Sequence, residues 1–431
     1  MKIAYLLEQD VEVRQAPYDG PGTHVREVVH ELRQRGHQVR LLARLEGRLW
    51  RSDDLAAFTR IEVPLLDRGP LRLLERAVRR TQYELQLPYA AFFESQRFAR
   101  ACQQELAGTD LLYERMSWFD YGGALAAGRM GVPLVLECNG DHLADLEAKG
   151  IAPHGWQRRL SVALMNRAVQ RAAHVVVSGD GWRDAFLQRW RVDGRRVTTV
   201  ENGTELLRLL QRDELRAFQE EPGGGDVVTL AYLGGFQPWQ GVPVLLRALA
   251  RIVAEAPPLR LVLIGSGPGA EEARQFAEQL GLANIVTFTG RLSQEAYAPI
   301  LAGADIGLAP YCGWPEYSGL KLFDYKAAGL AVIASGEQGR PRTLQDGRTG
   351  WIVPPCDEQA VSRAILALAR DSALRRRLGQ AARIDAESSH SWEQTTRQLE
   401  QIMLRVVEER SRARSGAMGR RRGIEAYEAD R

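Results

Sequence analysis

What most limits the fold of this chain is an alternation along nearly its whole length: short apolar runs, each followed by a turn and then by apolar residues at helical spacing. In the first half the runs are residues 2–7, 39–43, 110–113, 133–138, 174–178 and 197–200; in the second they are 228–234, 259–265, 285–290, 306–310 and 331–335. Near-continuous apolar runs of this kind mark parallel strands buried on both faces. Parallel neighbours need crossover helices, and the stretches between the runs supply them. The expected fold class is α/β, with two Rossmann-like doubly wound units.

Two local patterns fit this. After the first run, Gly20-Pro21-Gly22 leads into Val25, Val28, Val29 and Leu32, the stripe of a helix packed on a sheet, and Gly36 ends it. After the first run of the second half, Gly241-Val242-Pro243 precedes Leu245, Leu246, Leu249, Ile252 and Val253, with proline in the first helical turn where it leaves no hydrogen bond unmade. Between the halves, residues 204–226 are polar and end in Pro222-Gly223-Gly224-Gly225, a break that suits a hinge. The expected domains are 1–205, a linker at 206–226, a second domain at 227–375, a helical segment at 376–410 and a basic, disordered tail at 411–431.

Charge removes some partners. The 57 Lys plus Arg nearly balance 54 Asp plus Glu. Residues 411–431 hold six arginines against three acids and so account for the whole surplus of +3. Nucleic acid is therefore not expected as a partner. Cys102, Cys138, Cys312 and Cys356 lie far apart without a Cys-x-x-Cys, suggesting neither a zinc site nor a disulfide framework and fitting a reducing cytosol. Glu8 and Asp10 come too soon for a signal-peptide core, and no apolar stretch of about 18 residues is present to span a bilayer. The expected location is the cytoplasm. The arginine-rich stretch 67–100, with Leu71, Leu74, Val78 and Leu85, reads either as a solvated helix or as a peripheral contact at the inner face of a membrane.

Candidate chemistry lies in a few segments. Gly20 and Gly22 stand where a phosphate could meet N–H groups at a helix N-terminus, or where glycine simply makes a tight turn. Gly265-Ser266-Gly267-Pro268-Gly269 departs from the dinucleotide fingerprint in spacing, which disfavours a hydride-transfer cofactor. The segment 315–329 says more. A loop with Glu316 leads to a helix that places Lys321 and Asp324 one turn apart, in a chain with only four lysines. A surface Lys–Asp pair would explain that spacing, but not the small-residue turn and Glu316 before it.

Here the chain resembles family 4 of the nucleotide-sugar glycosyltransferases, retaining enzymes of the GT-B fold. The resemblance spans roughly residues 1–400. It rests on Gly20 through Arg35-Gly36-His37-Gln38-Val39, Val200-Glu201-Asn202-Gly203, Tyr232-Leu233-Gly234-Gly235 with Gly241, Leu263 through Pro268, Phe288-Thr289-Gly290-Arg291 and Ala304-Asp305 through Pro310. The family's Glu, seven residues, Glu signature reads Glu316, seven residues, Asp324. The resemblance implies two Rossmann-like domains facing a cleft, with C-terminal helices returning to the first, and a nucleotide-sugar donor as substrate with no separate cofactor or metal. UDP comes first and GDP second.

The resemblance further implies that Asp324 holds the donor ribose, Glu316 the transferred sugar, Ser318, Gly319 and Leu320 the diphosphate through N–H groups, and Arg291 the base. Gly20, Gly22 and Gly235 join the donor site. Lys321 supplies positive charge and, with Glu316, forms the catalytic pair. Two departures stand out. Positions that carry an Arg and a Lys in many relatives, neutralising the leaving diphosphate, read Gly235 and Gln240 here. Where relatives place a histidine, the chain reads Glu137-Cys138-Asn139, so Glu137 and Asn139 are expected acceptor contacts, and neither His24 nor His142 is assigned as a base. Asp-x-Asp, the usual handle for a donor-bound divalent ion in the other major glycosyltransferase fold, is missing from the sequence. The expected activity is metal-independent, retaining sugar transfer to a hydroxyl. A nucleotide-sugar 2-epimerase and a non-catalytic nucleotide-sugar-binding subunit stay open as alternatives.

Overall fold

The computed structural model describes every residue except 16, 17, 19, 65–68, 85–91, 118, 119, 141, 142, 144, 145, 148–151, 212–226, 313–318, 338–340, 430 and 431, and gives backbone alone at 83, 180, 181 and 414–429. The chain forms two compact units, one of residues 1–14, 21–200 and 396–431, the other of 15–20 and 201–395.

The first unit is built on β1 (Lys2–Leu7), α1 (Gly20–Gln34), β2 (Gln38–Leu45), β3 (Arg48–Ser52), β4 (Thr59–Ile61), α2 (Pro70–Glu84), α3 (Phe92–Glu105), β5 (Leu111–Arg115), α4 (Gly122–Met130), β6 (Leu134–Cys138), α5 (Gly155–Arg171), β7 (His174–Val177), α6 (Asp180–Trp190) and β8 (Val197–Thr199). Its eight-stranded sheet has the order β4-β3-β2-β1-β5-β6-β7-β8. All six apolar runs of the first half are strands, paired in parallel. Ile3 lies between Val39 of β2 and Leu111 of β5, and residues Ile3 to Leu7 are all buried, as strands covered on both faces must be. The helix stripe Val25, Val28, Val29 and Leu32 is fully buried, each side chain contributing about 1.5–3 kcal/mol. Strands β3 and β4 lie outside the apolar runs. They are short, polar and antiparallel, so they carry no continuous apolar run.

The second unit continues with α7 (Leu206–Leu209), β9 (Val228–Leu233), α8 (Val242–Ile252), β10 (Leu259–Ile264), α9 (Ala270–Gln279), β11 (Val286–Gly290), α10 (Gln294–Ala302), β12 (Ile306–Ala309), α11 (Leu320–Ala327), β13 (Ala331–Ser335), β14 (Trp351–Val353), α12 (Glu358–Arg370), α13 (Ser372–Ser389) and α14 (Trp392–Ala429). Its sheet is wholly parallel, in the order β11-β10-β9-β12-β13-β14. Alternate residues of each strand face opposite layers. Leu230, Leu261 and Leu263 pack with Leu245, Leu246 and Leu249 of α8, whereas Ala231, Val262 and Ile264 pack with Leu206, Leu301 and Tyr325 on the other side.

Several expectations need correction. Residues 206–211 are not part of a linker: Leu206, Leu207, Leu209 and Leu210 are buried in the core of the second unit, whose boundary falls at Glu201. The apolar content of that stretch outweighs the polar segment after it, which lies outside the described residues. The return to the first unit comes at Thr396, within α14, and not at residue 376, because α13 buries Leu378, Ala382 and Ala386 in the second unit. In the first unit, α14 is tied to the end of α1 by Glu400, which accepts from Arg35 Nε and meets His37 Nε2, both at 2.7 Å. The tail, expected to be disordered, carries this helix on to Ala429. Once a helix is nucleated on packed residues, extension adds one bond per residue, and the four alanines and five arginines of 411–429 favour it against its three glycines. Finally, Cys312 and Cys356, 44 residues apart, form a disulfide with a Cα–Cα distance of 4.7 Å. Sequence spacing is blind to two loops that the sheet order brings together.

Candidate active site

In the second unit β9 and β12 lie side by side, but the chain leaves them toward opposite edges of the sheet. Such a switch point leaves a crevice beyond the carboxyl ends of the strands, where ligands of doubly wound folds bind. Tyr325 of α11 fixes this junction from below. Its hydroxyl accepts from Leu233 N at 2.6 Å and donates to Leu308 O at 3.0 Å, joining the two strands where their own ladder stops.

Beyond the strand ends, glycines let backbone approach backbone. A Cβ on Gly265 (φ 140°) would lie 1.9 Å from Gly234 O, and one on Gly267 (φ 153°) would lie 2.8 Å from Phe236 N. Close packing thus explains the glycines that resemble a dinucleotide fingerprint. Gly234 itself has φ 149°, and a Cβ there would stand 2.7 Å from the Lys321 ammonium.

Lys321 is buried in the first turn of α11, and its Nζ donates to Gln240 Oε1 at 2.5 Å. The ammonium also lies 4.5 Å from the ring centre of Tyr232 and 5.0 Å from that of Tyr311, within cation–π range. Among the described residues no carboxylate pairs with it. Burial lowers its pKa to about 7. This is a cation held by a neutral oxygen and two ring faces, and a nearby anion would stabilise it strongly. The other lysine of the segment, Lys326, is fully buried and engaged by Asp385 and by Thr343 O, so its role is structural.

Asp324 is also buried. Its carboxylate accepts from Thr204 Oγ1 at 2.5 Å and from Tyr297 OH at 2.9 Å. Burial raises its pKa to about 6 against the pull of those two bonds. Gly319, with φ 71°, caps α11, and Leu320 begins it. Gly235 O accepts from Tyr232 OH, and Arg291 is exposed just beyond Gly290 at the end of β11. The structure thus brings Lys321, Asp324, Gly319, Leu320 and Gly235 to one end of the sheet near its switch point. Glu316 and Ser318 lie outside the described residues. The sequence reading missed Thr204, Tyr297, Tyr232 and Tyr311. Tyr232 and Tyr311 carry a weak signal, a tyrosine within or just after a buried run, whereas Thr204 and the helical Tyr297 carry none that hydrophobicity flags.

Gly20, which is counted with the second unit, and Gly22, in the first, form the first turn of α1. Glu137 and Asn139 stand at and just past the end of β6, but they differ in access. Glu137 is buried. It accepts from Tyr5 OH at 3.1 Å and Asn139 Nδ2 at 2.5 Å, and pairs with His24. Burial alone would raise its pKa, but His24 first, then Arg115 and Asn139, outweigh it and hold the pKa at about 2. Glu137 is thus a fixed internal anion that orients Asn139 and does not itself offer a free carboxylate, because strand β6 turns it inward. Asn139 is half-buried. A second acidic group caps α4, where Glu8 accepts from Gly122 N at 2.6 Å and Glu114 from Gly123 N at 3.3 Å. Burial raises Glu114 to about 8. Among the described residues no helix is long and apolar enough to cross a membrane.

Two family models match this chain: the Glycosyl transferase 4-like domain over residues 19–203 and Glycosyl transferases group 1 over 212–385. A D-inositol 3-phosphate glycosyltransferase of Streptomyces avermitilis is 30% identical over 64% of this chain and 61% of its own length, so the match spans about three fifths of that relative. A protein of the same name from Nocardioides is 27% identical over 92% of this chain and 89% of its own. A phosphatidyl-myo-inositol mannosyltransferase of Mycolicibacterium smegmatis is 28% identical over 48% of this chain and 53% of its own. Among solved structures, sucrose-phosphate synthase of Thermosynechococcus elongatus superposes with a TM-score of 0.67 at 22% identity, covering 95% of this chain and 99% of its own. Anabaena HepE in complex with UDP and glucose superposes with a TM-score of 0.65 at 18% identity, covering 94% and 99%. The fold is the GT-B fold expected from the sequence.

Proposed function

Because this chain belongs to the 4-like, group 1 glycosyltransferases, whose models match both of its halves, we propose that it moves a sugar from a nucleoside-diphosphate sugar to a hydroxyl acceptor with retention and without a metal ion. The observation that carries this reading is the Lys321 ammonium beside the switch point, buried without a carboxylate among the described residues. A diphosphate leaving group is the anion such a cation suits. The N–H groups at the start of α11, at Gly319 and Leu320, point the same way, since a helix N-terminus favours negative charge.

In this reaction the bond from the anomeric carbon to the diphosphate oxygen breaks, and the acceptor oxygen bonds on the same face. A departing phosphate oxygen takes the acceptor's proton. No protein nucleophile or histidine base is needed, which fits Asn139 where many relatives carry a histidine. Charge grows on the leaving oxygen, so a preorganised cation there is worth roughly 3 kcal/mol. Asp324 meets the ribose hydroxyls through the lone pairs that Thr204 and Tyr297 leave over. On this proposal Gly235 gives the diphosphate room and Arg291 lines the base, while Glu316, Ser318, Gly20 and Gly22 keep the donor roles that the family resemblance implies. Asn139, oriented by Glu137, contacts the acceptor.

UDP is the first donor nucleotide and GDP the second, supported by the UDP in the Anabaena structure. The names of the relatives support a polyol phosphate or lipid-linked polyol as acceptor, within the wider range of glycans and small glycosides. Exposed Leu71, Leu73 and Leu74 on arginine-rich α2 fit a peripheral contact with a membrane that carries such an acceptor. The test is to incubate the protein with UDP- and GDP-sugars and candidate acceptors in EDTA and assign the product's anomeric configuration by NMR. Retention with activity in EDTA supports the reading. An inverted product, an epimerised donor or strict need for a divalent ion rejects it.

A further inference from the structure

The Lys321 ammonium is held from several sides. A lysine ammonium has three donors and no acceptor, so the Gln240 amide must present its oxygen to it, and does so at 2.5 Å. That oxygen is also 3.4 Å from Tyr232 OH, which is committed to Gly235 O at 2.5 Å. The turn carrying Gln240 is rigid: Gln240 N donates to Gln237 O at 2.9 Å, and Cys312 N to Trp239 O at 2.9 Å. Gly241 closes it at φ 71°, so near Pro310 that a Cβ would lie 1.6 Å from Pro310 O. The same contact fixes the start of Tyr311, whose ring faces the ammonium. Gly234 leaves space beside Nζ that any side chain would fill.

We propose that Gln240 is a positioning residue for sugar transfer: its side-chain oxygen, with the faces of Tyr232 and Tyr311, aims the Lys321 ammonium at the leaving diphosphate without neutralising it. The inference rests on the glycosyl-transfer reading. Amide chemistry is what the position needs. A carboxylate would pair with Lys321 and compete with the diphosphate, and a second cation would repel it. An apolar side chain would leave a buried ammonium with ring faces alone. The titratable groups whose rings face the Lys321 ammonium are Tyr232 and Tyr311, and Tyr325 interacts with both of them. Asp324, one turn along α11, is taken up by Thr204 and Tyr297.

The experiment compares wild type with Gln240→Glu and Gln240→Leu. With four lysines in the chain, ¹³C labelling of the Lys ε-carbon resolves Lys321, assigned by its loss in Lys321→Met. The expected result without any substrate is that the Lys321 titration midpoint rises in Gln240→Glu and falls in Gln240→Leu, relative to wild type. With substrates, kcat should fall about tenfold or more in both variants. Acceptor KM should stay unchanged, and the alkaline limb of the kcat profile should move with the midpoint. Weaker UDP binding in Gln240→Glu is also expected. Midpoints and kcat profiles that match wild type in folded variants overturn the role of Gln240 while leaving transferase activity standing. Shifted midpoints in a protein that turns over no donor instead reject the glycosyl-transfer reading, and with it a role for Gln240 in transfer.

Discussion

Replacing Lys321 with methionine should stabilise the fold while removing the cation that transfer depends on. In the unfolded chain the ammonium is charged up to its ordinary pKa of 10.5, but in the fold burial lowers the pKa to about 7. At 1.36 kcal/mol per pH unit, that gap makes the buried charge cost about 5 kcal/mol. The sign follows from the depressed folded pKa of a base. The cost is complete below about pH 7, shrinks as pH rises from 7 to 10.5, and vanishes above. Methionine keeps the volume, so packing changes little. It leaves Gln240 Oε1 without its donor, a loss of about 1–3 kcal/mol that does not depend on pH. The variant should therefore be more stable than wild type by about 2–4 kcal/mol at pH 6, with the advantage falling by about 3 kcal/mol on going to pH 9. Urea unfolding of both proteins at the two pH values measures this. A stability difference that stays constant from pH 6 to 9 would show that no buried ammonium titrates at position 321.

Two further outcomes follow from the packing around the site. Tyr325→Phe should cost about 2–4 kcal/mol in denaturant unfolding, because Leu233 N–H and Leu308 C=O both lose a buried partner; a loss under about 0.5 kcal/mol would show that the strands close without the hydroxyl. Reduction should lower the wild-type melting temperature by roughly 10 °C and leave a Cys312→Ser, Cys356→Ser double variant unchanged, since a bridge across 44 residues is worth about 4 kcal/mol. Four reactive thiols in the unreduced, denatured protein would contradict the bridge.

How far the sequence could be read depends on which force sets each feature. All eleven apolar runs are strands, because burial on both faces demands a continuous apolar sequence and local composition records it. Strands β3, β4 and β14 are short edge or near-edge strands held by neighbours, so their sequences carry little trace of them. The linker expectation failed because Leu206 to Leu210 precede a glycine-rich break, and the break drew the boundary past a buried segment. At the site, the spacing of Lys321 and Asp324 on one helix was legible, as was the loss of charge at Gly235 and Gln240. What compensates was not. Gln240 and Lys321 are 81 residues apart and meet only because β9 and β12 are neighbours, a fact of sheet order that no local pattern contains. The disulfide escaped for the same reason. The inward turn of Glu137 depends on neighbouring Asn139 and on His24 and Tyr5 from two other elements, which no local pattern joins.

Lys321 as the cation of sugar transfer is tested most directly by acceptor-dependent release of nucleoside diphosphate from wild type and Lys321→Ala, each with its fold verified by circular dichroism. The variant should bind acceptor normally and release diphosphate at least a hundredfold more slowly, the loss of roughly 3 kcal/mol of transition-state stabilisation. Equal release rates would contradict this role and remove Lys321 from the reaction.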